Sequence, residues 1–458
     1  MEGTRQQLVE QIEQLIEQDS HAEISSTLAG VHPSKIAEII DQMDRNAQVF
    51  VLLSLGNHIT SEVLPELHES LREELLSILD EKQIADIAEE MDSDDAADLI
   101  HKLPEEKAED VLAKIDPEER MEVEPLLKYP DDSAGGIMQT EVLKGLPESP
   151  AGQTIEKIRK LSQSNQIEEY HRIYVVDKNN KLVGTVSLGK LVISDETTPL
   201  WSVMESISPE TTLSPMTDQE EVALLFRKYD LISAPVVDED GELLGRITGD
   251  DIMDVIAKES EEDLLKAAGV GGDHLHPIHT PTFEKIKVRT PWIVFTLLGE
   301  LLIAFVVLHN FQVTLEQFAI LAAFMPAIMA AGGNVGVQTN TVVIRSLGMG
   351  TISSGQVVSI LFAEMKVGLI LGLLCGIMGA FTVEFINTGH PSNIMVGYAV
   401  FIAMISATLA TSSIGVVLPM LLKKFNIDPA ASSGPFLMMF NDILGSIFYL
   451  FVGTILLF

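Results

Sequence analysis

The sequence predicts a multidomain chain: an all-α superhelical N-domain, an α+β module built on a duplicated hairpin, and a polytopic α-helical membrane domain with five spans. Charge is sharply segregated, two unrelated duplications occupy the acidic part, and five long apolar stretches fill the last third. The 458 residues include 67 acidic and 30 basic side chains, a formal net charge of −37. Lys287 to Phe458 carries only six basic and six acidic residues, so the whole excess lies in the first 286. So acidic a chain repels a phosphate backbone, which argues against nucleic-acid binding. Abundant Ile, Leu and Val within the acidic part argue against global disorder. The lone cysteine, Cys375, cannot form an internal disulfide, as expected for a cytosolic soluble part. The first residues contain no apolar core of the signal-peptide kind.

Residues 1–135 read as short helices. Ile36-Ala-Glu-Ile-Ile-Asp-Gln-Met-Asp and Ile84-Ala-Asp-Ile-Ala-Glu-Glu-Met-Asp repeat one pattern, and each precedes another helix-length segment. A repeat of helix pairs implies a superhelical stack. Pro104 and Asp116-Pro117 stand where helices should start.

The second duplication spans 136–200 and 201–257. Val175, Val176, Asp177, Leu182 and Gly184 recur as Val236, Val237, Asp238, Leu243 and Gly245. Each copy is a β run, a polar turn and a second β run, with helical segments at Gln153 to Ser164 and Asp218 to Tyr229. This module resembles a tandem CBS pair, a regulatory unit that often binds adenine nucleotides. The second copy keeps the Thr248-x-x-Asp251 pattern associated with ribose contacts. The first has Ser187-x-x-Lys190, without the carboxylate.

Residues 258–290 form a connector, acidic at its start and basic at its end. Gly269 and Gly271-Gly272 should end its first helix. The membrane domain then occupies 291–458, with spans near 292–308, 318–344, 357–383, 394–422 and 435–458, each long enough to cross hydrocarbon. Lys285, Lys287, Arg289, Arg345, Lys366, Lys423 and Lys424 fall on or near one side, whereas the opposite connectors hold Glu316, Glu384 and His390. The positive-inside rule places the N-terminus in the cytoplasm and Phe458 outside. Gly368-x-x-x-Gly372-x-x-x-Gly376 allows close helix approach, within a subunit or across a dimer.

Clustered carboxylates suggest a cation. Asp94 and Asp98 share a helical face beside Asp95, and Asp251 shares one with Asp254, followed by Glu259, Glu262 and Asp263. Each close pair costs about 4 kcal/mol at an effective dielectric of about 20, and a divalent ion offsets that repulsion. Oxygen-only clusters suit Mg²⁺ or Ca²⁺ better than Zn²⁺, and loose carboxylates suit a hydrated Mg²⁺. Within the spans, Asp442 after Asn441 is the candidate pore ligand. Glu300 either lines a pore or packs against a neighbouring helix. Gly332, Gly333, Asn334 and Gln338 belong either to a wet path or to close helix packing.

The chain resembles the MgtE family of magnesium channels and transporters over nearly its whole length. The most specific stretches are Pro326 with Gly332-Gly-Asn-x-Gly-x-Gln-x-x-Thr341, and Asp428-Pro429 through Ser433-Gly434-Pro435 to Asn441-Asp442. The resemblance implies a homodimer in the cell membrane, a pore between the membrane domains, and Asp442 as the pore aspartate. It also implies cytosolic Mg²⁺ bound among the N-domain, the CBS pair and a plug helix in the connector. The residues carried over for that gating site are Asp94, Asp95, Asp98, Glu220, Asp230, Asp251, Asp254, Glu259, Glu262 and Asp263, with Glu220 and Asp230 resting on the resemblance alone. Mg²⁺ is then both substrate and regulator, and ATP or another adenine nucleotide is the further ligand at Thr248 and Asp251. The alternatives are a membrane-anchored nucleotide sensor without transport, or a broader Mn²⁺, Co²⁺ or Ca²⁺ pathway. An enzyme is not expected, because no nucleophile–base constellation, P-loop or HExxH stands in the sequence.

Overall fold

The computed structural model describes residues 2–163, 171–270, 280–352, 354–386, 393–425, 427–431 and 434–458. Ser164, Gly271, Gly272, His390 and Ser433 lie outside the described residues. The chain divides into two compact units, Met1–Ala257 and Lys258–Phe458.

The first unit opens with helices α1 (Glu2–Glu17), α2 (His21–Leu28), α3 (Pro33–Ile40), α4 (Arg45–Ser54), α5 (Asn57–Val63), α6 (Glu69–Ile78), α7 (Glu81–Ala88), α8 (Ser93–His101), α9 (Glu105–Leu112) and α10 (Pro117–Val123). Most are too short to persist alone, so stacking must stabilise them. α3 packs on α5, α5 on α7, and α7 on α9. The repeat is visible in the core: α3 buries Ile36, Ala37, Ile39 and Ile40, and α7 buries Ile84, Ala85, Ile87 and Ala88. Pro104 is the residue before α9, and the Asp116 carboxylate accepts the Glu118 N–H at 2.9 Å to cap α10.

The duplicated module follows with β1 (Lys144–Gly145), α11 (Ala151–Gln163), β2 (Arg172–Val176), β3 (Leu182–Ser187), α12 (Leu188–Ile193), α13 (Leu200–Val203), β4 (Glu205–Ser206), α14 (Gln219–Tyr229), β5 (Ser233–Val237), β6 (Leu243–Thr248) and α15 (Gly249–Ala267). One sheet runs β1-β2-β3-β4 and the other β5-β6. Both hairpins pair antiparallel in the same register, Val175 with Gly184 and Val236 with Gly245. Each has an irregularity one residue later. Asn180 and Gly241 turn the hairpins at φ +60° and +81°. Each turn feeds the other copy: Leu182 N–H donates to Gly241 O, and Leu243 N–H to Asn180 O, both at 3.0 Å. Val236, Ile247, Ile252 and Val255 of the second copy join the core of the helical stack, whereas Ile173, Val175 and Val186 form a separate core.

α15 runs without a break from the first unit into the second. It ends at Ala267, and Gly269 follows at φ +72°, where Val270 N–H donates back to Leu265 O at 2.9 Å. The second unit continues with α16 (Thr282–Gln317), α17 (Ile320–Gly348), α18 (Val357–Ile386), α19 (Asn393–Lys424) and α20 (Gly434–Leu457), all long and apolar enough to cross a membrane. α16 begins at Thr282 and passes through Pro291, so it extends beyond its apolar stretch at both ends. The Gly368, Gly372 and Gly376 stripe packs within the subunit. A Cβ on Gly368 would meet Thr408 O at 2.9 Å, one on Gly372 the Ile405 Cα at 2.8 Å, and one on Gly376 Phe401 O at 3.0 Å. Small residues here let α18 and α19 touch backbone to backbone.

Candidate functional site

In the first unit, the continuous core brings the start of α8 against the start of α15. Asp94 and Asp251 face each other there, with Asp92, Asp95 and Glu141 adding negative charge. The Asp94 Oδ1 atom is buried and has no hydrogen-bond partner. Burial, then Asp251, Asp95, Asp92 and Glu141, hold the Asp94 carboxyl well above the usual carboxylate range. Asp95 presents an exposed surface yet sits deep among protein atoms. That burial, then Asp98 and Asp251, push it up to about 7, against a smaller pull from Arg72. An orphaned buried oxygen among four further carboxylates fits a divalent cation, which would satisfy the oxygen and cancel the repulsion.

Asp251 has a second task. Its Oδ2 accepts the Thr248 N–H at 3.2 Å, the Thr248 hydroxyl, and the Gln139 amide at 3.4 Å. Thr248 and Asp251 therefore bond each other across the first turn of α15. Ser187 caps α12 similarly, accepting the Lys190 N–H at 3.3 Å. An open cavity of about 400 Å³ in the second copy is lined by Glu210, Thr212, Leu213, Glu221, Lys228 and Tyr229 among others, and not by Thr248 or Asp251.

The remaining carboxylates are dispersed. Glu220 stands at the start of α14, whereas Asp230 closes the same helix in the left-handed conformation at φ 50°. Ten residues of helix separate them by about 15 Å, too far to share one ion within a chain. Asp254 is exposed and its carboxyl is raised by burial of its inner side, then by Glu66 and Asp250.

In the second unit, the end of α15 gathers Glu259, Glu262 and Asp263 with Asp428, which precedes α20. Lys266 Nζ lies 2.7 Å from Asp428 Oδ2 and also bridges Glu262. Burial opposes the lysine's charge, but the two carboxylates outweigh it and raise its pKa. Asp263 is pushed up to about 6 by burial, then by Asp428 and Glu259. A Cβ on Gly269 would press Pro435 Cγ at 2.5 Å, and one on Gly434 would meet Ala267 O at 3.2 Å. The end of α15 therefore rests on the first turn of α20.

Two turns further along α20, Asn441 is 1% exposed. Its amide donates to Met329 O at 2.8 Å and to Asp442 Oδ1 at 2.9 Å, while its own Oδ1 is buried without a partner. Gly332 is what admits it, because a Cβ there would overlap Asn441 Oδ1. Gly333 is also buried, and the Gly332 carbonyl accepts the Thr411 hydroxyl at 2.8 Å. Asn334 and Gln338 lie one turn apart on an exposed face of α17. Asp442 lies near the Glu300 carboxyl on α16. Glu364 of α18 accepts the Thr339 hydroxyl of α17 at 3.0 Å.

Several residues escaped the sequence reading. Glu141 accepts the Ser93 N–H at 3.0 Å and its hydroxyl at 2.8 Å, fixing the first turn of α8. Glu122 is pushed up to about 7 by burial, then by Glu141 and Glu119. Lys266, His101 and Asp131 also escaped it, because the Lys266–Asp428 and His101–Asp131 pairs join residues far apart in sequence, where helical periodicity says nothing.

A profile described as a divalent cation transporter matches residues 325–452, one described as the MgtE intracellular N domain matches 31–132, and CBS domains match 134–194 and 202–258. The chain is 33% identical over 345 residues to the magnesium transporter MgtE of Thermus thermophilus, covering 74% of each chain. It is 30% identical to the magnesium transporter MgtE of Enterococcus faecalis, covering 74% of this chain and 72% of that one. Among solved structures, the soluble part of a magnesium transporter aligns with a TM-score of 0.50 at 26% identity, over 56% of this chain and 99% of that one. The cytosolic domain of the Mg²⁺ channel MgtE in complex with ATP also aligns at 0.50, with 30% identity over 54% and 99%. The chain belongs to the MgtE family of magnesium transporters.

Proposed function

We propose that the protein is a Mg²⁺-selective uptake channel that cytosolic Mg²⁺ closes. The observation that carries this reading is the seat of α15 on α20: Lys266 on Asp428, and Gly269 on Pro435, at the start of the helix that bears Asp442. The same α15 begins with Asp251, which faces Asp94. Mg²⁺ at Asp94, Asp95 and Asp251 favours the arrangement in which these carboxylates meet, because it binds that arrangement better than one with them apart. Without the ion the carboxylates repel, and α15 transmits the change to α20. Asp98, Asp254, Glu259, Glu262 and Asp263 are further ligands of this regulatory ion set. Glu220 and Asp230 would serve different ions, given their separation along α14.

The chain acts as a homodimer, with the N-terminus cytoplasmic and Phe458 outside, as the basic connectors favour. Two Asp442 carboxylates attract a cation that keeps much of its water, so it can both enter and leave. Asn441, held by Gly332 and Met329, fixes the aspartate's position, and Glu300, Asn334 and Gln338 line the approach. An adenine nucleotide binds the hairpin pair as a modulator, as the ATP-bound relative suggests.

A covalent lock tests the coupling. Ala267→Cys with Gly434→Cys, in a Cys375→Ser background, should form a disulfide that abolishes Mg²⁺ flux at low cytosolic Mg²⁺ and releases it on reduction. Flux that is unchanged once the disulfide has formed would remove α15 from the gate.

A further inference from the structure

We infer that Glu141 is a positioning residue for the regulatory divalent ion, acting through Ser93 to hold the α8 carboxylates against α15. The inference deepens the proposed function and rests on its reading of Asp94 and Asp251 as the two walls of one ion site. The first turn of α8 is capped by Glu141, 48 residues away in sequence, and not by the preceding Asp92. One Glu141 oxygen accepts the Ser93 N–H at 3.0 Å and the other the Ser93 hydroxyl at 2.8 Å. The Ser93 hydroxyl oxygen in turn accepts the Thr140 N–H at 2.9 Å. Ser93 is 1% exposed, and Asp94 is the next residue along the helix. Three hydrogen bonds therefore fix the turn from which Asp94 and Asp95 project.

The same short segment holds the opposite wall. Gln139 and Arg246 exchange backbone hydrogen bonds at 2.8 and 2.9 Å, which seats the segment on β6. A Cβ on Gly245 would strike Gln139 O at 2.5 Å, so a glycine is what lets the two backbones come this close. The Gln139 amide donates to Asp251 Oδ2 at 3.4 Å, and its side-chain oxygen accepts from Arg246 Nη2 at 3.1 Å. Residues 139–141 thus grip α8 at one end and the start of α15 at the other, and set the gap between Asp94 and Asp251. A carboxylate is a costly choice for that grip, because Glu141 adds to the repulsion on Asp94. An amide in its place would bring one acceptor oxygen and no charge. The charge serves the ion: it disfavours the empty site and attracts a cation to the filled one. Both Glu141 oxygens are turned to Ser93, so it acts on the ion from behind Asp94, as groups that orient metal ligands do.

The test measures two quantities on the full-length protein. One is the cytosolic Mg²⁺ concentration that halves flux in proteoliposomes, and the other is the rise in melting temperature that Mg²⁺ produces in detergent. Ser93→Ala removes one arm of the grip and leaves every charge in place, and should raise the midpoint at least about threefold. Glu141→Gln removes the charge as well, and should raise it about tenfold. In both variants the Mg²⁺-induced rise in melting temperature should shrink. A merely structural grip would lower the melt equally with and without Mg²⁺ and leave the midpoint in place, and that result would overturn the inference. Asp94→Asn separates this failure from a failure of the ion site. If Asp94→Asn moves the midpoint and neither grip variant does, Glu141 has no positioning role. If Asp94→Asn leaves it unmoved as well, the ion site lies elsewhere and the inference falls with it. Circular dichroism in chelator checks the folds, and either grip variant that folds carries the test.

Discussion

Asn441 shows how one side chain can depend on the absence of another. Its buried amide reaches Met329 O and Asp442 only because Gly332 leaves space for it. Gly332→Ala should therefore displace Asn441 and cost roughly 1–3 kcal/mol through overpacking. A lower melting temperature in detergent and reduced Mg²⁺ flux would report that, and an unchanged melt with full flux would refute it. Asp94 makes the opposite kind of prediction. Its folded pKa is raised, so ionisation costs the folded state more than the unfolded one. Its contribution to stability is greatest below the ordinary carboxylate value and falls as pH rises from there toward the raised value. In chelator the wild type should lose melting temperature relative to Asp94→Asn as pH rises from the ordinary carboxylate value toward the raised one, and Mg²⁺ should restore it. If the two proteins melt in parallel across that range, Asp94 bears no strained charge. Asp94, Asp98 and Asp251 were legible because acidic residues repeat at helical spacing. The Glu141 bond to Ser93 was not, since nothing local links two residues that meet only through tertiary packing.

Among the elements, α15 has the widest reach, carrying Asp251 at its start and Lys266 at its end. The Lys266 bridge is partly exposed and should contribute only about 0–1 kcal/mol to stability. On the proposed mechanism its effect belongs to gating. Lys266→Met leaves Glu262, Asp263 and Asp428 without their resident cation, so the end of α15 is repelled from Asp428 until Mg²⁺ arrives. The Mg²⁺ concentration that halves flux should rise in this variant while the melting temperature stays nearly constant. A midpoint that is unchanged or lower would contradict the role. The five apolar helices and the paired hairpins could be read from sequence because their signals are periodic and local. The partner of the Gly368 stripe could not, because the spacing marks a close approach without naming its neighbour. Only the contacts with Thr408, Ile405 and Phe401 assign it to α19.

At the scale of the whole molecule, a strongly acidic part precedes a nearly neutral part that holds the five apolar helices, with the charge division at residue 286. The second hairpin shares a core with the helical stack, so the acidic faces of α8 and α15 meet within one packed body. The central claim is that Asp442 conducts Mg²⁺ and that cytosolic Mg²⁺ closes the path. The direct measurement is Mg²⁺ flux into proteoliposomes, wild type against Asp442→Ala, with Mg²⁺ varied on the cytoplasmic face. Flux through the wild type should fade as cytoplasmic Mg²⁺ rises, and the variant should carry almost none at any concentration. Wild-type flux indifferent to cytoplasmic Mg²⁺ would contradict the gate, and undiminished flux through Asp442→Ala would contradict the pore.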